Sequence, residues 1–184
     1  MSLQRHALIV IDVQKSFDDP AWGRRNNPAC ESNIARLIQD WRHKDRPVVF
    51  VRHDSVIPNG RMKTGTPGNE FKDVVRGNPD LLVVKNVNSA FYGTPDLHAW
   101  LRDRRLAGLV ICGITTNHCC ETTARMGGNL GYDVQFVLDA TYTFDRTALD
   151  GSVVAADELA RVTAVNLHGE FATVTTTAAI VDRD

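Results

Sequence analysis

The chain has 184 residues, of which 43% are hydrophobic and 23% charged, a composition that excludes a disordered segment and supplies enough apolar surface for one buried core. Lys and Arg number 21 against 22 Asp and Glu, for a formal net charge of -1, so no basic excess points to nucleic acid or to an anionic membrane. No apolar run nears the roughly 20 residues needed to span a bilayer, and the opening Met1-Ser2-Leu3-Gln4-Arg5-His6 is too polar for a signal peptide. The four cysteines, at 30, 112, 119 and 120, form no CxxC pair, which points to a reducing, cytoplasmic compartment. A single domain over residues 1–184 is expected.

In chain order, Ala7 to Ile11 is a continuous apolar run, the pattern of a strand buried on both faces, and it stops at Asp12. Cys30 to His43 repeats apolar residues at helical spacing (Ile34, Leu37, Ile38, Trp41), and Pro47 to Val51 reads as a second strand. His53 to Asp80 holds Pro58, Gly60, Gly65, Pro67, Gly68, Gly77 and Pro79 with no period of either kind. A connection of that length is either functional or a tolerated surface insertion. Leu81 to Val84 is a third strand, ended by Lys85. Thr94-Pro95 reads as the start of a helix carrying Leu97, Trp100 and Leu101. Gly108 to Cys112 is a fourth strand, and His118 to Leu130 a helix stopped by Gly131. Val134 to Leu138 is a fifth strand, Ser152 to Leu167 a helix capped by Ser152, and Phe171 to Val174 a sixth strand. This alternation predicts a Rossmann-like, three-layer α/β/α domain around a mostly parallel sheet of about six strands with right-handed crossovers. Ligands then belong at the carboxyl ends of the strands, near a switch in strand order.

Three reactive residues fall at that rim. Asp12 ends the first apolar run, Lys85 ends the third, and Cys119 opens the helix after the fourth. Taken singly, each has a plain structural reading as a turn, a solvated charge and a small buried apolar group. Together they form a chemically consistent set. A helix amino terminus and an ammonium favour a thiolate. A carboxylate can take the thiol proton and later activate water. Asp and Lys hold each other ionised where either alone would be costly to bury. Backbone N–H groups at the turn before the helix are placed to receive an oxyanion.

The sequence resembles the isochorismatase-like cysteine hydrolases, the group that includes nicotinamidases and N-carbamoylsarcosine amidohydrolase. The resemblance runs from about Ala7 to Val174. It is carried by Leu8-Ile9-Val10-Ile11-Asp12-Val13-Gln14, by Val84-Lys85 with Ser89-Ala90-Phe91-Tyr92-Gly93-Thr94, and by Cys112-Gly113-Ile114-Thr115-Thr116-Asn117-His118-Cys119-Cys120-Glu121. It implies a catalytic triad of Asp12, Lys85 and Cys119, and a non-proline cis peptide between Ile114 and Thr115. It also implies oxyanion donors at the backbone N–H groups of Thr115 and Cys119, a small-molecule substrate, no cofactor, and assembly as a homodimer or homotetramer.

Two departures narrow this. Cys120 stands where the family carries an aliphatic residue; successive helical residues point about 100° apart, so only one of the neighbouring thiols can face the pocket. Nicotinamidases hold a divalent ion with an Asp and two His shortly after the second strand. Here that region reads Arg52-His53-Asp54, and the next histidine is His98, too few ligands for a metal site. Isochorismatase itself acts without a cysteine nucleophile. What remains is hydrolysis of another amide, carbamoyl or lactam C–N bond, as in streptothricin-hydrolase-like enzymes or biuret and carbamoyl amidases. Substrate-contact candidates are Phe17, Gln14, Phe91 and Tyr92. The competing readings are a thiol redox protein using Cys119 and Cys120, and a non-catalytic binding protein that keeps the fold.

Overall fold

The computed structural model describes residues 3–183. All six apolar runs form strands of one parallel sheet: β1 (His6–Ile11), β2 (Val48–His53), β3 (Leu81–Lys85), β4 (Gly108–Ile114), β5 (Asp133–Tyr142) and, after a small hairpin, β8 (Thr173–Thr175). The hairpin pairs β6 (Arg146–Thr147) with β7 (Val153–Val154). The order in the sheet is β3-β2-β1-β4-β5-β8. β1 is therefore central, with Leu8 registered against Val48 on one side and Val110 on the other.

Alternation along β1 sends its side chains to two separate cores. Leu8 and Val10 meet Ile34, Leu37, Ile38 and Trp41 of α1 (Cys30–His43), together with Ile180 of α5 (Thr177–Val181). Ala7, Ile9 and Ile11 meet the other layer, which contains Leu97 and Leu101 of α2 (Leu97–Asp103), Ala124 of α3 (Glu121–Asn129) and Leu167 of α4 (Ala156–Leu167). The three-layer α/β/α architecture expected from the sequence is the one observed.

Local boundaries differ in three places. Thr94–Pro95 is a cis peptide, and Thr94 bridges to Val84; the cap of α2 is Asp96, whose carboxylate accepts from the Ala99 N–H at 3.1 Å. Ser152 precedes β7 and caps nothing, because α4 begins later; there the Asp145 carboxylate accepts from the Ala156 N–H at 2.7 Å. The third helix is preceded by a π-helical turn, Thr116–Cys120, a feature that hydrophobic spacing does not encode.

The long connection after β2 folds back over the carboxyl ends of the strands. Its anchor is Lys72, 8% exposed, whose ammonium donates to Asp18 at 2.6 Å, Glu31 at 2.9 Å and the Tyr142 hydroxyl at 3.2 Å. Arg25 completes the knot with a two-pronged contact to Glu31 and a guanidinium 3.6 Å above the Tyr142 ring. Burial alone would push the Glu31 carboxyl up, but the hydrogen bonds from Arg25 and Lys72 outweigh it and hold the group at about 2. Because that lies below the ordinary value of 4.5, Glu31 contributes stability above about pH 4.5 that is lost as pH falls toward 2. A shift of this size corresponds to ~3 kcal/mol at most. Urea unfolding between pH 5 and 2 should show that loss in the wild type and a flatter profile in Glu31→Gln; equal slopes would remove Glu31 from the account.

Candidate active site

The chain runs β1, β2, β3 outward on one side of the sheet, then returns to build β4, β5 and β8 on the other. The order reverses between β1 and β4, and a crevice opens beyond the carboxyl ends of strands at such a point. Asp12 follows β1 directly and turns the chain in the left-handed region, φ 50°, a conformation rare for residues other than glycine. On the facing strand the register with β5 slips between Ile111 and Gly113. Gly113 has φ 134°, and a side chain there would run into the carbonyl of Ile11. The peptide from Ile114 to Thr115 is cis. The π-helical turn follows and is pinned to the end of β5 and the residue after it, with Thr116 Oγ1 donating to Thr141 Oγ1 at 2.9 Å and Thr143 Oγ1 donating to Asn117 Oδ1 at 2.6 Å. These constraints deliver Cys119 to the crevice.

Lys85 comes from β3, two strand spacings or roughly 10 Å from β1. Its side chain crosses the end of β2, so that Nζ lies 2.6 Å from Asp12 Oδ2 and 3.3 Å from His53 Nδ1. The Lys85 and Asp12 side chains are 0% and 1% exposed. Asp12 Oδ1 has no hydrogen-bond partner. A carboxylate oxygen of Asp12, a ring nitrogen of His53 and Cys119 Sγ all lie within 4.8 Å of one another. The acid, the amine and the sulfur thus meet at one point.

The charges are not arranged as the sequence suggested. Burial pulls the Lys85 ammonium down, but Asp12 and Cys119 more than offset it and hold the group above the ordinary lysine value. Burial pushes the Cys119 thiol up to about 12, with Asp12 adding to the rise and Lys85 opposing it. Burial and Asp12 thus favour the protonated form of the thiol, in opposition to the helix start and the ammonium. Burial is the larger cause, and one cation, 2.6 Å from Asp12 Oδ2, only partly opposes it at the sulfur.

Beside the sulfur is a cavity of about 130 Å³. Phe17, Trp22 and Met62 form its apolar wall, and Thr115, His118 and Arg146 line it as well. Phe17 and Trp22 pack with ring centroids 5.2 Å apart, and Trp22 stacks on Phe144 at 5.4 Å. Of the predicted contact residues, Phe17 reaches this cavity. Gln14 does not: its amide bonds the backbone carbonyls of His53 and Asn69 and the N–H of His53, tying β1 to β2 and the covering loop. Phe91 stacks on Tyr132 at 6.0 Å, and Tyr92, 69% exposed, lines a second cleft with Asn88 and Thr122, where Asn88 Oδ1 accepts from Cys119 Sγ at 3.9 Å. His53 and Arg146 are the wall residues that spacing underrated. Arg52 and Asp54 form an ion pair, at 2.7 Å, and alternation at the strand end sends His53 to the opposite side. Arg146 carried no signal, because the short hairpin that presents it has no hydrophobic period.

The residues do not fit the divalent ion of nicotinamidases. Asp54 is taken up by Arg52, Asn69 and Thr64, and His98 bonds the Tyr132 hydroxyl at 2.8 Å. Asp12, His53 and Cys119 are close enough to share an ion, yet the Lys85 ammonium already contacts Asp12 and His53 and supplies the positive charge there. Cys120 is fully buried in the core facing α2 and α3, and burial pushes its thiol well up.

Comparison with known proteins agrees with this architecture. A solved isochorismatase-family structure from Chromobacterium violaceum superposes with a TM-score of 0.93 at 41% identity, covering 98% of this chain and 94% of that one. The uncharacterized isochorismatase family protein YrdC of Bacillus subtilis is 37% identical over 97% of this chain and 96% of its own length. Nicotinamidase 3 of Arabidopsis thaliana is 33% identical over 90% of this chain and 82% of its own. The isochorismatase domain matches residues 6–179, and the chain belongs to the isochorismatase family, a family of hydrolases.

Proposed function

We propose that this chain is a cysteine hydrolase that cleaves the C–N bond of a small amide, carbamoyl or lactam substrate through a thioester on Cys119. The observation that carries the reading is the fully buried Asp12–Lys85 pair, 2.6 Å apart, with Cys119 Sγ within 4.8 Å of the carboxylate. Burying two charges is costly, and nothing in packing requires them at the one edge where the crevice opens. As the sulfur attacks the carbonyl carbon, its proton passes to Asp12, whose Oδ1 is an open acceptor. The carbonyl oxygen becomes an oxyanion, received by the backbone N–H groups of Thr115 and Cys119. Collapse breaks the C–N bond, and the departing nitrogen takes the proton from Asp12. Water then adds to the thioester while Asp12 accepts its proton; that proton returns to the sulfur as the acid leaves. Throughout, the Lys85 ammonium stays in contact with Asp12, 2.6 Å from Oδ2. No cofactor enters the cycle.

Amine or ammonia release from a panel of small amides, ureido compounds and lactams is the test. Turnover is expected with at least one class and should fall more than about 10³-fold in Cys119→Ala. Because burial and Asp12 raise the pKa of the thiol, iodoacetamide labelling of Cys119 should climb steadily between pH 8 and 10. A plateau below pH 8 would show a preformed thiolate and overturn the proton path through Asp12. A redox role for the vicinal thiols has no support in the geometry, since Cys120 is 0% exposed and cannot serve as an accessible resolving thiol.

A further inference from the structure

The contact between Lys85 and His53 decides where the imidazole carries its proton. An ammonium has donors and no acceptor, so the 3.3 Å approach of Lys85 Nζ to His53 Nδ1 requires Nδ1 to accept. The ring is held toward its neutral form, by burial first and then by Lys85. A neutral imidazole has a single N–H, and the bond made by one nitrogen assigns the proton to the other. The proton therefore sits on Nε2. That nitrogen has no hydrogen-bond partner among the described residues and is not sealed from solvent, and His53 lines the Cys119 cavity. The backbone of His53 is clamped as well. Gln14, 0% exposed, accepts from its N–H at 2.9 Å and donates to its carbonyl at 3.0 Å, and Asn69 donates to the same carbonyl at 3.0 Å. Two buried carboxamides thus fix one half-buried histidine. A fixed polar group in the wall of a small cavity is how a site orients and selects a ligand.

We propose that His53 donates from Nε2 to the substrate, so that the substrate class narrows to amides with a second oxygen, or an unprotonated nitrogen, close to the scissile carbonyl. A ring nitrogen of His53 lies within 4.8 Å of Cys119 Sγ. Hydrogen bonds of this kind span roughly 2.9 Å, which places the acceptor one or two bonds from the carbon that joins the sulfur. An N–H or O–H donor at that position finds no acceptor on the ring, because Nδ1 is occupied by Lys85. The word substrate rests on the hydrolase reading above; the tautomer and the donor do not.

Two arms separate these claims. The first needs no turnover. Nitrogen NMR of labelled protein at about pH 8 tells a protonated ring nitrogen from a bare one. The His53 signals, identified by their loss in His53→Gln, should show Nε2 protonated and Nδ1 bare. Cys119 is then capped in one sample with iodoacetamide and in another with methyl methanethiosulfonate. The sulfur displaces iodide from carbon in the first and methanesulfinate from sulfur in the second, and its proton leaves to solvent in both. Only the first cap brings a carbonyl oxygen, two bonds from the carbon on sulfur, and it alone should move the Nε2 proton downfield. A proton on Nδ1, or the same Nε2–H position under both caps, would overturn the donor. In the second arm, ammonia release from methoxyacetamide and butyramide is compared, an isosteric pair in which an ether oxygen replaces a methylene two bonds from the carbonyl carbon. The wild-type preference for the ether should fall about tenfold in His53→Phe, one neutral hydrogen bond's worth. It should be partly kept in His53→Gln, whose Oε1 can accept from Lys85 while Nε2 donates. The inductive effect of the oxygen is common to all three proteins and cancels. Equal losses on both amides, with the preference unchanged, would mark a structural role and overturn the contact. Thermal unfolding of both variants checks that they fold, and His53→Gln carries the test if the phenylalanine variant does not. A downfield Nε2 proton under the carbonyl cap with no hydrolysis of any amide would keep the donor and reject the hydrolase. Hydrolysis with no such shift and no ether preference would do the reverse.

Discussion

Asp12→Asn should lower kcat about 10³-fold, within the range for loss of a general base, and should also destabilise the fold. The reason for both effects is the same contact. Asn cannot take the thiol proton, and it leaves the Lys85 ammonium, 0% exposed, without a counter-charge. Removing one partner of a buried pair costs about 3–5 kcal/mol, a large part of the roughly 5–15 kcal/mol that holds a domain folded. Lys85→Met should cost a similar amount, by stranding the Asp12 carboxylate. The double variant Asp12→Asn/Lys85→Met separates the roles. It removes both charges together, so its stability in urea should return to near the wild-type value or exceed it, while its turnover stays as low as that of Asp12→Asn. A pair kept for stability would give a double variant weaker than either single one. A pair kept for chemistry gives a stable, inert protein. Undiminished turnover in Asp12→Asn would refute the assigned base outright.

Gly113→Ala should cost about 3–5 kcal/mol, at the top of the range for single substitutions, measured by urea unfolding. Two causes add. The backbone there has φ 134°, which L side chains rarely adopt. The new methyl group would also meet the carbonyl and backbone nitrogen of Ile11, and neither can move aside without pulling β1 and β4 apart. Contrast Gly151, with φ 83° and nothing near the position a side chain would take; Gly151→Ala should bear only the conformational cost, about 1 kcal/mol. The difference between the two locates the tight approach of β1 and β4 at the point where Asp12 and Cys119 are brought together. Equal losses in the two variants would show that the approach carries no special weight.

The sequence by itself determined the sheet and its layers. Six apolar runs separated by helical spacings became six parallel strands, because a strand buried on both faces has no polar alternation and can be covered only by helices. It also singled out Asp12 and Lys85, each a charged residue at the end of an apolar run, and Cys119, at the helix start after the fourth strand, all placed at one rim by the common direction of the strands. Where local rules misled, a distant partner was responsible. Thr94-Pro95 reads as a helix start, but Thr94 pairs with Val84, and Ser152 reads as a cap, but Asp145 closes that helix from the far side of the hairpin. Tertiary structure alone decided the contents of the cavity. Gln14 is turned away from it by the backbone of His53 and Asn69, while Met62 and Arg146 enter from segments with no periodicity to read. It also decided the surroundings of Cys119, since neighbours in sequence show a helix start and a thiol, but only the folded chain shows the burial and the nearby Asp12 that raise its pKa. Periodicity reports which side of an element is buried; it carries no information about which buried groups face one another.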